Sequence, residues 1–150
     1  MANWPQISIN TDREYSMCFG CGQNNPIGLK LEFQWDGKTA SVEFTPTELY
    51  QGWSGVVHGG ILICLLDEAM GWAALFEGLH CVTAEVQARL RRPVSVGETL
   101  IITSYITKRN RKLVKAKASV SLKDGTLIAE GTATQFVTSM KTGGGSNVQK

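Results

Sequence analysis

Val57-His58-Gly59-Gly60-Ile61-Leu62-Ile63-Cys64-Leu65-Leu66-Asp67-Glu68-Ala69-Met70-Gly71-Trp72-Ala73-Ala74 reads as a helix opened by two glycines, with two carboxylates set in an otherwise apolar run. At helical spacing Leu62, Leu66, Ala69, Ala73 and Phe76 form one apolar stripe, and Ile61, Leu65, Trp72 and Leu75 form a second. A helix apolar on so much of its circumference must be buried. Either a sheet curls around it, or a sheet covers one side and a partner chain the other. A third stripe, Gly60, Cys64, Asp67, Gly71 and Ala74, is small except for Asp67, so a bulky group could approach the backbone beside a carboxylate.

On either side of this helix the periodicity changes to two. Before it, Leu29, Leu31, Phe33 and Trp35 alternate with polar residues, Asp36-Gly37 signals a hairpin turn, and Ala40, Val42 and Phe44 continue the alternation. Thr45 to Val57 is a longer connection holding Pro46, Gly52 and Gly55. After the helix, which is expected to end near Gly78, Val82, Ala84, Val86, Ala88 and Leu90 are predicted to face one way. Thr83, Glu85, Gln87, Arg89 and Arg91 are predicted to face the other. Further strands begin at Leu100 and at Val114, the second with the cleanest alternation in the chain. A last strand is predicted over Leu127 to Val137, with Gly131 as a bend or close backbone approach. Two strands, one long helix and four strands joined by short turns give an α+β fold, with an antiparallel sheet of about six strands curled around one helix. Periodicity does not choose the strand order.

The 150 residues suit one domain. An N-terminal extension and loop is expected over 1–28, the folded domain over 29–138, and a disordered, glycine-rich tail over 139–150; a short helical turn is expected near Thr11 to Tyr15. A formal charge of +2 is too small to make nucleic acid the main partner. Asp67 and Glu68 at the centre of the apolar run argue against a membrane helix. The first ten residues carry neither the basic start nor the apolar core of a signal peptide, so a cytoplasmic, reducing location is expected and the four cysteines read as thiols. Cys18-Phe19-Gly20-Cys21 has the spacing of half a zinc site, yet no second pair or nearby histidine completes it. A structural turn without metal is the expectation.

His58-Gly59-Gly60 followed by Asp67-Glu68-Ala69, set between strands in this order, resembles the hotdog-fold acyl-coenzyme A thioesterases of the phenylacetate-pathway type, within the 4-hydroxybenzoyl-CoA thioesterase superfamily. Cys18-Phe-Gly-Cys-Gly with Asn25-Pro-Ile-Gly28-Leu resembles the N-terminal loop of a subset of them, and the likeness runs from about Leu29 to Val137. The resemblance implies a hotdog domain, dimers or tetramers with sites at the subunit interface, and hydrolysis of acyl-CoA thioesters. Coenzyme A then belongs to the substrate, and no cofactor is needed.

The chemistry needs an oxyanion donor, a group that activates water or attacks directly, and room for a long substrate. The backbone N–H groups of Gly59 and Gly60, at the positive end of the helix, are expected to supply the first. Asp67, two turns further in, is expected to be the base or nucleophile, and Glu68 points about 100° away around the helix. His58 is expected to orient the loop or assist the leaving thiol, with a purely structural role as the alternative. The resemblance places Thr83 where a hydroxyl helps to hold the attacking water. Many relatives carry Asn or Gln six residues before the histidine, where this chain has Gly52 with Gln51 beside it. For substrate binding the candidates are Gln51, Glu68, and the basic set Arg89, Arg91, Arg109 and Arg111 with Asn110, the basic residues because CoA carries phosphates. Trp53, Met70, Trp72 and Phe76 offer apolar surroundings that aliphatic and aromatic acyl groups would suit equally. Two other functions fit the same fold: a non-catalytic acyl-CoA sensor, and an acyl thioester hydratase or dehydratase. Sensors of this kind usually carry a DNA-binding segment, for which 1–28 is too short. Hydratases pair their acid with a histidine on the helix, and none lies between Asp67 and Gly78.

Overall fold

The computed structural model describes residues 16–140. The long helix, α1, spans Gly59–Phe76. His58 caps it with an extended backbone (φ −62°, ψ 134°), and its ring Nδ1 accepts the Gly60 N–H at 2.8 Å. Gly78, at φ 83°, ends it in the left-handed conformation that favours glycine. Leu65, Leu66, Ala69, Met70 and Ala73 are wholly buried. By length and composition alone α1 would pass for a membrane span; here it is the core element, packed on five strands of the sheet.

Those strands are β1 (Gln34–Trp35), β2 (Thr39–Phe44), β3 (Leu79–Leu90), β4 (Leu100–Arg109), β5 (Leu113–Leu122) and β6 (Leu127–Met140). They form one antiparallel sheet in the order β1-β2-β4-β5-β6-β3, curled around α1 in the hotdog arrangement. On β5 the alternation holds as read: Val114, Ala116, Ala118 and Val120 are buried, and Lys115 and Lys117 are exposed. The inner face is rich in small residues, which lets the helix close on the backbone. At Gly131 the close neighbour is the adjoining strand, since a Cβ there would lie 2.7 Å from the Gln87 carbonyl of β3, with Leu66 of α1 at 3.4 Å. From β4, the buried Ser104 hydroxyl donates to the Ala69 carbonyl of α1 at 2.6 Å.

Two departures from the expected strands have local causes. Leu29, Leu31 and Phe33 are buried as their alternation predicts, but only Gln34–Trp35 joins the sheet. The Leu29 and Leu31 N–H groups instead donate to the Phe19 and Gly20 carbonyls at 2.8 and 3.0 Å, and Lys30 adopts φ 55° between them. On β3 the pairing with β6 slips between Thr83 and Glu85. This bulge at Ala84 reverses the parity of the strand, so Thr83 faces α1, not the wet face on which simple alternation put it. The last strand also runs three residues beyond Val137. The helical turn expected near Thr11 and the tail beyond Met140 lie outside the described residues.

Candidate active site

The start of α1 is built by the loop before it. The His58 N–H donates to the Tyr50 carbonyl at 2.9 Å, the Val57 N–H donates to the Val94 carbonyl at 2.9 Å, and Gly52 packs against the His58 ring. The two glycines answer different steric demands. A Cβ on Gly60 would sit 3.0 Å from His58 Nδ1, and one on Gly59 would sit 3.0 Å from the Leu90 side chain. Because the Gly60 N–H is taken by His58, the expectation of two open donors becomes one: among the described residues the Gly59 N–H meets no acceptor. With Nδ1 accepting, the ring proton lies on Nε2, and the His58 side chain is exposed. A recess of about 400 Å³ opens here, lined by Gly52, Trp53, Val56, Val57, His58 and Gly59. Trp53 is 87% exposed beside it.

Asp67 is half-buried, on the stripe where Gly71 leaves open space. The Thr83 hydroxyl donates to Asp67 Oδ1 at 2.7 Å, an interaction the Ala84 bulge makes possible. That donation spends the only proton of the hydroxyl, leaving its lone pairs and Asp67 Oδ2 as acceptors.

Glu68 turns away from Asp67 into the N-terminal loop. The Cys18 thiol donates to its Oε2 at 3.7 Å, and Gly20 is packed so tightly on the carboxyl that a Cβ would lie 2.4 Å from its carbon. Burial, reinforced by negative charge on Cys18 and Asp67, pushes the Glu68 carboxyl up to about 7. A hydrogen bond from Cys21 holds the Cys18 thiol down to about 5, and the same contact raises Cys21. Cys64 and Cys81 are pushed up to about 11, chiefly by burial. The expected substrate-binding role of Glu68 therefore does not fit its place in this chain.

The remaining candidates are dispersed. Gln51 Oε1 accepts the Gly55 N–H at 2.9 Å, so this side chain stabilises its own loop. Arg91 pairs with Glu130. Arg109 pairs with Glu77, the C-cap of α1, which puts the basic turn at the far end of the helix, about 27 Å from Gly59 along the axis. Asn110 Oδ1 accepts the Lys112 and Leu113 N–H groups within that turn, and Arg111 is exposed. Arg89 lines a cavity of about 670 Å³ on the outer face of the sheet. Trp72 and Phe76 stack with Phe33 and Trp35, and Met70 is wholly buried, so these three belong to the core.

One residue escaped the sequence reading. Gln135 is 1% exposed, neither its amide nitrogen nor its oxygen has a hydrogen-bond partner among the described residues, and it lies directly across from Thr83 in the β3–β6 register. Cross-strand neighbours share a face, so Gln135 lies on the same face of the sheet as Thr83. The signal was present in Ala129, Gly131, Ala133, Gln135 and Val137, where one polar side chain interrupts an apolar alternation.

Residues 54–129, just over half of the chain, match the thioesterase superfamily. The chain belongs to that superfamily. Among curated relatives, acyl-coenzyme A thioesterase 13 of Mus musculus is 30% identical over 86 residues, covering 55% of this chain and 61% of the relative. The chain spans between about a third and three fifths of the length of the curated relatives it matches. Two solved structures share the superfamily fold. The E. coli PaaI protein from the phenylacetic acid degradation operon aligns with a TM-score of 0.70 at 21% identity, over 75% of this chain and 83% of that one. A hypothetical thioesterase from Streptococcus pneumoniae TIGR4, solved with coenzyme A, aligns with a TM-score of 0.71 at 20% identity, over 75% and 88%.

Proposed function

We propose that the protein hydrolyses acyl-coenzyme A thioesters to the free acid and coenzyme A, with Asp67 as general base. The observation that carries this reading is the Thr83–Asp67 hydrogen bond of 2.7 Å. It orients one carboxylate oxygen and leaves the other, with the threonine lone pairs, to hold a water between them. Asp67 takes a proton from that water as its oxygen attacks the thioester carbonyl, and the thiolate of coenzyme A leaves when the tetrahedral intermediate collapses. The Gly59 N–H, at the positive end of α1, stabilises the oxyanion. Membership of the thioesterase superfamily and the coenzyme A bound in the pneumococcal relative support the choice of substrate class.

The site needs two chains. Gly59 and Asp67 are eight residues apart on one helix, about 12 Å along the axis, whereas one carbonyl must lie about 3 Å from both the donor and the attacking oxygen. A second copy removes the mismatch by bringing its Gly59 to the Asp67 of the first. β3, twelve residues long and, among the described residues, at the edge of the sheet with only β6 beside it, is the surface where such a copy would pair. Asp67→Asn tests the reading. Turnover of acyl-CoA esters falls by roughly 10²-fold or more while Glu68→Gln stays within a few-fold. An Asp67→Asn protein with near-normal turnover would refute the assignment.

A further inference from the structure

The N-terminal loop and the helix converge on a cluster that the hydrolytic reaction does not use. Cys18 Sγ, Cys21 Sγ and a Glu68 carboxylate oxygen all lie within 4.8 Å of one another, each half-buried. We propose that Cys18, Cys21 and Glu68 form a binding site for a divalent transition metal of the zinc class, which pins the N-terminal loop to α1.

Three separate features of the fold converge there. The loop is shaped for it: the Gly22 N–H donates to the Cys18 carbonyl at 2.8 Å, closing the Cys-Phe-Gly-Cys turn, and a side chain on Gly22 would collide with the backbone of Ser16 and Cys18. Both thiols thus come to one side of a tight turn. The helix meets it with a carboxylate that packs directly over Gly20, where a Cβ would lie 2.4 Å from the carboxyl carbon and would push the Glu68 side chain out of its present position. The loop is itself fixed on the domain by the Leu29 and Leu31 N–H groups and by the Tyr50 hydroxyl, which donates to the Gly28 carbonyl at 3.2 Å. The donor positions are therefore held by the fold and do not depend on the metal to be gathered.

The chemistry of the set selects the ion. Two thiolates and one carboxylate suit zinc, whose tetrahedral sites place sulfur at about 2.3 Å and oxygen at about 2.0 Å from the metal, so two sulfurs stand about 3.8 Å apart and a sulfur and an oxygen about 3.5 Å. The observed spacing, within 4.8 Å, needs a contraction of no more than about 1.3 Å. On binding, the protons still held by the cluster, chiefly that of Cys21 and any on Glu68, pass to solvent, the metal accepts one electron pair from each sulfur and from the carboxylate oxygen, and a fourth position remains for water. No oxidation is involved. Glu68, spent as a ligand, would then offer no second base beside Asp67.

The test uses the full chain purified with reductant and without chelator. One zinc per chain is expected by elemental analysis, and none in Cys18→Ser/Cys21→Ser. Glu68→Gln should weaken zinc binding at least tenfold in a competition titration. Zinc-edge X-ray absorption on the unaltered protein reads the ligand set without any variant, and should give two sulfur scatterers with oxygen or nitrogen completing the shell. Four sulfurs would mean a metal shared between two loops, and would overturn the assignment of Glu68. Failure to take up zinc or cobalt(II) at equimolar concentration, or a Cys18–Cys21 disulfide that leaves no metal uptake after reduction, would overturn the site altogether.

Discussion

Mixing two inactive variants gives the sharpest test of a site built from two chains. Gly59→Pro deletes the proposed oxyanion donor with little other change. Position 59 is the first residue of α1, where proline is tolerated, and His58 before it already has the extended ψ of 134° that a following proline requires. The nearest atom to a new Cβ is the mobile end of Leu90 at 3.0 Å. Loss of one oxyanion donor should cost about 10²-fold in kcat, and Asp67→Asn should cost as much or more. If each site takes Gly59 from one chain and Asp67 from the other, a hybrid dimer carries one site with both defects and one with neither. Random reassociation of equal amounts makes half of the dimers hybrids, each with one intact site of two, so activity should recover to about a quarter of the unaltered level. Two single-chain sites would recover nothing, because every chain carries a defect. The assay is free-thiol release from an acyl-CoA ester after partial denaturation and refolding of the mixture, with sedimentation to establish that dimers have re-formed. Refolded hybrids that stay as inactive as the parents would refute the 12 Å argument, as would a stable, active monomer.

Four further outcomes are expected. Thr83→Val, which removes the hydroxyl that orients Asp67, should lower kcat by roughly tenfold with little change in KM, and Thr83→Ser should restore most of it; equal rates in all three would make the bond incidental. Gln135→Met replaces a buried amide without hydrogen-bond partners among the described residues by an apolar chain of similar volume, so it should raise stability by about 1 kcal/mol in urea unfolding, and a loss would show that the amide is satisfied. Glu68, raised from 4.5 to about 7, favours the folded state when protonated, whereas Cys18, held down to about 5, favours it when ionised, so in chelator-treated protein the two trends oppose one another between pH 5 and 7; Glu68→Gln removes the first and should make stability rise with pH more steeply than in the unaltered protein, by up to about 3 kcal/mol across that window in urea midpoints, and an unchanged slope would refute the assignment. Gly131→Ala should destabilise by about 1–3 kcal/mol, because its methyl meets the Gln87 carbonyl at 2.7 Å, and an unchanged thermal midpoint would mean that β3 can yield.

The sequence by itself determined the layering, because burial on one face writes a period into the chain. The apolar stripes of α1, the alternation of β5 and the Asp36-Gly37 turn all come from local preferences and a single buried side. The sequence also marked Asp67, since a lone carboxylate on a small-residue stripe is conspicuous without coordinates. Strand order was beyond it, because antiparallel neighbours obey the same alternation whichever strands they are. So was the facing of Thr83: one extra residue at Ala84 reverses the parity, and a period of two carries no sign of where a bulge will fall. The basic residues illustrate the same limit, since Arg91 and Arg109 found carboxylates on β6 and at the end of α1 that only folding brings near. Tertiary structure alone joined Glu68 to Cys18 and Cys21 across fifty residues, and set Gln135 beside Thr83, because contacts between distant segments depend on how elements pack and not on the pattern within any one of them.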